Sequence, residues 1–567
     1  MRITRRTSVI VAGAVALALG LSACGGSSGG GGTTTNSQAP SATQNDIGAT
    51  PYDQVPTGGT LKWALTGVIP NFNYNELDGT LKDNADVINA LMPRLFLVDA
   101  TGVPHLHTDY LAAADLKTDP TEVVTYKINP KAKWSDGTPL SWKDFEAQWK
   151  ALNGTAKGYN IASSNGYDQI ASVAKGANDQ EAVVTYKNKY ADWQNVFSPL
   201  YPASTNTDKK TFNTGWIKQP LITAGPFKFS KIDQTAKTIT IVRDDSWWGK
   251  KAKLDSIIYR AIDGDAQADA LANGEIDWLD IGPDVNKYTR AKSMPGVVIR
   301  RAGGPNFRHI TINGTSPQLS DVNVRTALAK AIDRTRIAQA LLAPLGVSPT
   351  ALGNHLFMAN QKGYKDNSGN VGKYDVAAAK QLLDAAGWKL NGTTRTKNGK
   401  ALTIRFVIPS GVATSKQESE LIQGMLAQVG VKVNIQTVPT DDFFDKYITP
   451  GNFDFTVFSW IGNAYPISSN KSIYANPKKG PDGLDIQQNF ARIGSPEIDS
   501  LFDQATAELD PAKAIDIANQ VDTKIWDEVH SLTTYQRPDL AAVKSTVENV
   551  GAFGFADYVY EIMGIKK

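Results

Sequence analysis

The sequence predicts an α/β fold with more than one packed lobe, on three observations. Strand-like and helix-like apolar patterns alternate along the chain, most clearly between residues 403 and 460. Roughly 510 residues follow a polar N-terminal stretch, whereas a single hydrophobic core stops growing near ~250–300 residues. No motif recurs with a period of 20–50 residues, which argues against a solenoid.

At the N-terminus, Arg2, Arg5 and Arg6 precede an apolar run from Val9 to Leu21. That pattern is a signal peptide, expected over residues 1–23. Leu21-Ser22-Ala23-Cys24-Gly25 then resembles the bacterial lipobox, in which the cysteine thiol is acylated and becomes the mature N-terminus. Cys24 is the only cysteine, so no internal disulfide is available and the fold must be held by its core. Arg5-Arg6 also fits a twin-arginine signal, which leaves the export route open. Residues 24–58 are rich in Gly, Ser, Thr, Asn, Gln and Pro and bury too little surface to offset their ordering entropy. They read as a flexible tether of about 30–35 Å average reach.

Composition removes some function classes. Apolar residues make up 41% of the chain, the net charge is +3, and 59 basic residues are interspersed with 56 acidic ones. Nucleic-acid binding is not suggested. No second apolar stretch of membrane-spanning length follows the signal peptide. Eight of the 12 tryptophans, Trp134, Trp142, Trp193, Trp216, Trp247, Trp248, Trp388 and Trp460, lie outside helical or strand periodicity. Such residues mostly pack cores and lobes, and a few in loops suit a ligand wall.

The elements follow in chain order. Leu61–Leu65 reads as a strand feeding an irregular Asn- and aromatic-rich stretch, Gly67–Glu76. Ser320 is placed to cap a helix with Val324, Leu328, Ala331 and Ile332 on one face. Asp375 is placed to cap another that runs through Leu382 and Leu383 to Gly387. Thr403–Ile408, a helix over Thr414–Val429 stopped by Gly430, and Val431–Val438 form a βαβ unit. An amphipathic piece, Asp441–Ile448, leads to another strand, Phe453–Trp460. Asp499–Leu509 and Ala512–Glu528 are a helical pair broken at Asp510-Pro511. Ligands of open α/β sheets bind beyond the carboxyl ends of the strands, which nominates Pro409-Ser410-Gly411 and Trp460–Pro466.

Tyr126-Lys127-Ile128 is followed by Lys133-Trp134-Ser135-Asp136-Gly137-Thr138-Pro139-Leu140 and Asp144, a tight turn between a strand and a helix opening near Ser141. With Gly225-Pro226-Phe227, Trp247-Trp248-Gly249, Asn273-Gly274-Glu275-Ile276-Asp277, Val324–Leu328, Ala331–Arg334, Ala385–Trp388 and Phe453-Asp454 in that order, the chain resembles solute-binding protein family 5 of ABC importers, the oligopeptide, dipeptide and nickel-binding lineage. The resemblance runs from about Gly59 to the C-terminus. It implies a two-lobed periplasmic-binding-protein-like fold with a hinge, mixed sheets and an extra subdomain on the first lobe. The first lobe would take 59–100, 222–303 and 526–567, the subdomain 101–221, and the second lobe 304–525. The implied function is capture of a peptide or peptide-like solute and its delivery to permease subunits, by a lipid-anchored monomer on the extracytoplasmic face. A surface receptor without transport, or a binder of a sugar or metal chelate, would share the fold.

In peptide-binding relatives the loop after the last of these strands carries an Asp three residues beyond the Trp, and that Asp pairs with the ligand's α-ammonium. Asn463 stands there, in Trp460-Ile461-Gly462-Asn463-Ala464-Tyr465-Pro466. An amide supplies no counter-charge, so a free peptide N-terminus would be held more weakly. Ligand-binding residues are expected to be Trp460, Asn463 and Tyr465; Asn73, Tyr74 and Asn75; Asn306, Phe307 and Arg308 near the lobe crossover; and Tyr535 in the returning strand. Arg308 would clamp a ligand carboxylate, form a hinge-side salt bridge or stand as a solvated charge. No enzyme, cofactor or metal is expected. The only Gly-x-Ser-x-Gly matches fall in the Gly/Ser run Gly25–Gly30 of the tether, there is no His-Glu-x-x-His or P-loop, and His105-x-His107 reads as surface histidines lacking acidic partners at ligand spacing.

Overall fold

The computed structural model describes residues 45–480 and 483–566. The signal peptide, Cys24 and the tether up to residue 44 lie outside the described residues. Ten strands form one mixed sheet: β1 (Thr60–Leu65), β2 (Phe227–Asp233), β3 (Thr238–Arg243), β4 (Ser256–Ala261), β5 (Trp278–Asp280), β6 (Val297–Ile312), β7 (Thr403–Pro409), β8 (Lys432–Val438), β9 (Phe455–Trp460) and β10 (Ser531–Lys544). Their order is β8-β7-β9-β6-β10-β5-β1-β4-β3-β2. β7 runs parallel to both β8 and β9, and β1 parallel to β4 and β5. β6 and β10 pair antiparallel through the middle.

These two long strands serve two cores. Ile310 and Ile312 of β6 and Leu532 and Tyr535 of β10 pack with the Val322–Ala331 and Ala413–Ala427 helices. Further along β10, Ala541 and Val543 pack with Leu61, Trp63 and Tyr259. Between these regions the ladder shifts register at Gly303–Phe307 and Arg308–His309, where Gly303 faces Pro538. Proline lacks an N–H and glycine tolerates unusual dihedrals, so the ladder is weakest where the cores part.

The βαβ unit is present as Thr403–Pro409, Ala413–Ala427 and Lys432–Val438. Gly430 ends it at φ +80°, a left-handed conformation that favours glycine. Asp375 caps its helix through Ala378 N. At the Val322–Ala331 helix the cap is Asp321, not Ser320: the Asp321 carboxylate accepts from Asn323 N, while the Ser320 hydroxyl donates to Pro317 O at 3.1 Å. Either residue type can cap, and the turn geometry selects the one in register.

A separate antiparallel sheet joins Leu111–Lys117, Val123–Ile128, Glu181–Tyr186 and Ile170–Lys175, in that order. The Trp134–Leu140 segment closes on itself through Trp134 N to Thr138 O and Gly137 N to Trp134 O. Buried Asp144 then fixes the start of the Trp142–Leu152 helix. It accepts from Ser141 N, from Ala203 N and from the Trp134 indole N–H, completing the capping box of that helix. Among the described residues no helix is long and apolar enough to cross a membrane.

Candidate functional site

Where the carboxyl ends of β7 and β9 meet the loop after β1, a cleft of about 550 Å³ opens. One wall is aromatic. Trp460 ends β9 and lies between two near-parallel rings, Phe490 at 5.7 Å between centroids and His309 at 5.5 Å. Phe458 meets Trp460 edge-on, and Phe444 in turn meets Phe458 edge-on. Burial holds His309 well below the usual imidazole range, so the indole rests on a neutral ring. Trp460, Phe458, Phe444 and Phe490 all line the cleft.

The opposite wall is the loop over Gly67–Glu76, pinned by buried acids. Asp83 accepts from Thr66 N, Thr66 Oγ1 and Gly67 N at 2.7–3.0 Å. Glu76 accepts from Asn71 Nδ2, Asp78 N and Gly79 N, and burial pushes its carboxyl up to about 7. Asn73 belongs to this scaffold. It is 1% exposed, donates to Phe212 O at 2.9 Å and accepts from Asn75 N. Tyr74 and Asn75 line the cleft, and the buried Asn75 Nδ2 has no hydrogen-bond partner in the protein.

The two walls touch at their rims. Val68 N donates to Asp441 Oδ1 at 3.2 Å, and Gly264 lies so near Gly411 that an added Cβ would sit 2.2 Å from its carbonyl oxygen. Lys471 reaches both Asp168 and Asp503, at 3.4 and 2.6 Å. Both arginines that line the cleft are internally paired. Arg308 bonds Glu418, which also accepts from Tyr535 Oη at 2.7 Å, and Arg537 bonds Asp280 at 2.6 Å. The hinge-side salt bridge is thus the arrangement Arg308 adopts.

Of the ten residues expected from the sequence, Trp460, Asn463, Tyr74, Asn75, Asn306 and Arg308 come together on this cleft. Asn73, Phe307, Tyr465 and Tyr535 do not line it. Phe307 is 1% exposed, covered by Leu352, Met358 and Trp460, its partner across the strand pair. Tyr535 is fully buried beneath Arg308, and Tyr465, the residue before the Pro466–Tyr474 helix, is outside the cleft lining. Sequence reasoning missed Phe444, Phe490, Trp278 and the Arg537–Asp280 pair. Phe444 had a signal, since it lies in the amphipathic Asp441–Ile448 piece; Phe490 falls in an irregular stretch and had none.

A family model described as bacterial extracellular solute-binding proteins, family 5, middle region, matches residues 104–481. The chain belongs to this family. Over 557 residues this family 5 protein is 40% identical to the oligopeptide-binding protein OppA of Mycobacterium tuberculosis strain H37Rv, across 98% of its own length and 92% of the relative's. Among solved structures it is similar to the periplasmic EDTA-binding protein EppA, with TM-score 0.79 and 26% identity over 94% of this chain and all of that one. It is also similar to AppA of Bacillus subtilis, solved with a nonapeptide, with TM-score 0.78 and 21% identity over 91% of this chain and all of that one. These neighbours bear out the two-lobed periplasmic-binding-protein fold.

Proposed function

We propose that this family 5 protein captures a peptide or peptide-like solute between its lobes and delivers it to the permease subunits of an ABC importer, without catalysing a reaction. The observation that carries the reading is the cleft itself. Its ~550 Å³ falls within the ~300–1,000 Å³ of ordinary ligand sites, and it offers an aromatic wall with both of its arginines already neutralised in pairs. That suits a chain of amides and varied side chains better than a strongly charged ligand. The 40% identity to a protein named for oligopeptide binding points the same way. Trp460, Asn463, Tyr74, Asn75, Asn306 and Arg308 are the proposed contacts. Asn75 Nδ2 is a free donor for a peptide carbonyl.

The first lobe would take 59–100, 222–303 and 526–567, its subdomain 101–221 and the second lobe 304–525, the chain crossing back through the strand Ser531–Lys544. Closure would turn on the irregular β6–β10 ladder. A lipid anchor at Cys24 would hold the monomer on the extracytoplasmic face. Native mass spectrometry of the purified protein, followed by calorimetry with the retained molecule, tests the ligand. Retention of peptides is expected. Retention of only a sugar or a metal chelate, with no heat on titrating peptides, would overturn the reading.

A further inference from the structure

The His105-x-His107 motif splits in the structure. Exposed His105 bonds Asp99 at 2.6 Å, whereas His107 turns inward towards two carboxylates. Its Nε2 lies 3.8 Å from Asp109 Oδ2 and 4.0 Å from Glu561 Oε1. One ligand atom from each of the three residues lies within 4.8 Å of the others. The acidic partners missing from the linear spacing come from two residues downstream and from the far end of the chain.

The imidazole's orientation decides what this cluster lacks. His107 Nδ1 is 2.9 Å from Arg94 O, and a carbonyl only accepts, so Nδ1 carries a proton. In the neutral ring Nε2 is then a lone pair aimed at two anionic oxygens. A cation seated between the three atoms would meet all of them with lone pairs. A proton on Nε2 serves poorly, since both separations exceed the ~2.7–3.2 Å of a hydrogen bond. A zinc-class ion with bonds of about 2.0–2.1 Å holds its ligand atoms about 3.4 Å apart, so the two sides from His107 need shrink by only about half an ångström and the carboxylate–carboxylate side, within 4.8 Å, by at most about 1.4 Å.

The surroundings are built to hold these ligands. Asp109 is fixed by the Trp248 indole N–H on its carbonyl, at 2.6 Å, and by Lys250 N on its carboxylate. Gly249 makes room, since a Cβ there would lie 2.3 Å from that carboxylate. Tyr110 packs edge-on against the His107 ring at 4.9 Å. Glu561 is only 5% exposed, and a buried carboxylate at that depth calls for a cationic partner. A carbonyl behind Nδ1 is the usual second partner of a metal-bound histidine.

We propose that His107, Asp109 and Glu561 bind a divalent cation of the zinc class, water completing its coordination, and so clip the start of the subdomain to the C-terminal segment. None of the three lines the cleft, so this site is independent of ligand capture. Protein stripped on chelating resin should take up one equivalent of ZnCl2 in calorimetry and gain thermal stability on loading. Asp109→Asn and Glu561→Gln should each weaken uptake at least tenfold, and His105→Ala should leave it unchanged. Should either variant fail to fold, X-ray absorption of the zinc-loaded wild type should report one imidazole and two carboxylates around the metal. No saturable uptake, loss of binding only in His105→Ala, or an absorption spectrum without imidazole would overturn the proposal.

Discussion

Replacing Asn463 by Asp changes one atom type in the cleft wall, and the hydrogen-bond pattern sets the sign of its effect. Asn463 Oδ1 accepts from Tyr465 N at 2.8 Å and from Ser469 Oγ at 2.6 Å. A backbone N–H can only donate, so the amide oxygen must face inward and the NH2 is left as a donor on the cleft side. A peptide bound at the proposed contact would therefore meet Asn463 with a carbonyl or carboxylate, not with an ammonium. Asn463→Asp keeps both internal acceptances but replaces the outward donor with a second anionic oxygen. The complex then loses a hydrogen bond worth about 1 kcal/mol and leaves acceptors facing one another, a further ~1–3 kcal/mol. The expected result is binding at least tenfold weaker, measured by calorimetry with the peptide the wild type retains. Thermal unfolding should change little, because the loop keeps its anchors. Binding of free-amine peptides at least tenfold tighter in the Asp variant would refute the reasoning, and a matched N-acetylated peptide would then show no such gain.

Other outcomes rest on the same geometry. Trp460→Ala removes the ring between His309 and Phe490 and should weaken peptide binding by about 1–3 kcal/mol in calorimetry with the fold retained; unchanged affinity would place the site elsewhere. Cys24→Ser should move the protein from the membrane fraction to the medium, read by immunoblot of the two fractions. Glu76, raised to about 7 in the fold from an ordinary value near 4.3, favours folding fully while protonated in both states. That contribution, on the order of 3 kcal/mol, is lost as pH rises from about 4.5 to 7. Urea unfolding at stepped pH should show this slope in the wild type and a flatter profile in Glu76→Gln.

What the sequence disclosed and what it hid divide along a physical line. Signals that act within a few residues were readable: Gly430 stops a helix at the predicted place, Asp375 caps one, and Asp510-Pro511 breaks a pair. The two strand ends that bound the cleft came from the βαβ pattern alone. Roles set by distant partners were not readable in this way. Asn73 and Asn75 are alike in sequence, yet Asn73 is spent on Phe212 O and Asn75 keeps a free donor, and only the segment 139 positions away decides which. Phe307 is a similar case: it faces the cleft residue Trp460 across the strand pair, and only Leu352 and Met358, from elsewhere in the chain, cover it.

Arg308 shows how far such reasoning reaches. Period two puts its side chain on the cleft face, but its chemistry is set by Glu418 and Tyr535, from two other elements. A guanidinium already neutralised there offers a ligand hydrogen-bond donors in place of a net charge. With Arg537 paired to Asp280 in the same way, neither guanidinium brings an uncompensated charge to the cleft, and its remaining ionic lining includes Lys82, Lys287, Asp78 and Asp445. Charge at those positions, and not at the arginines, would then set any preference among ligand side chains.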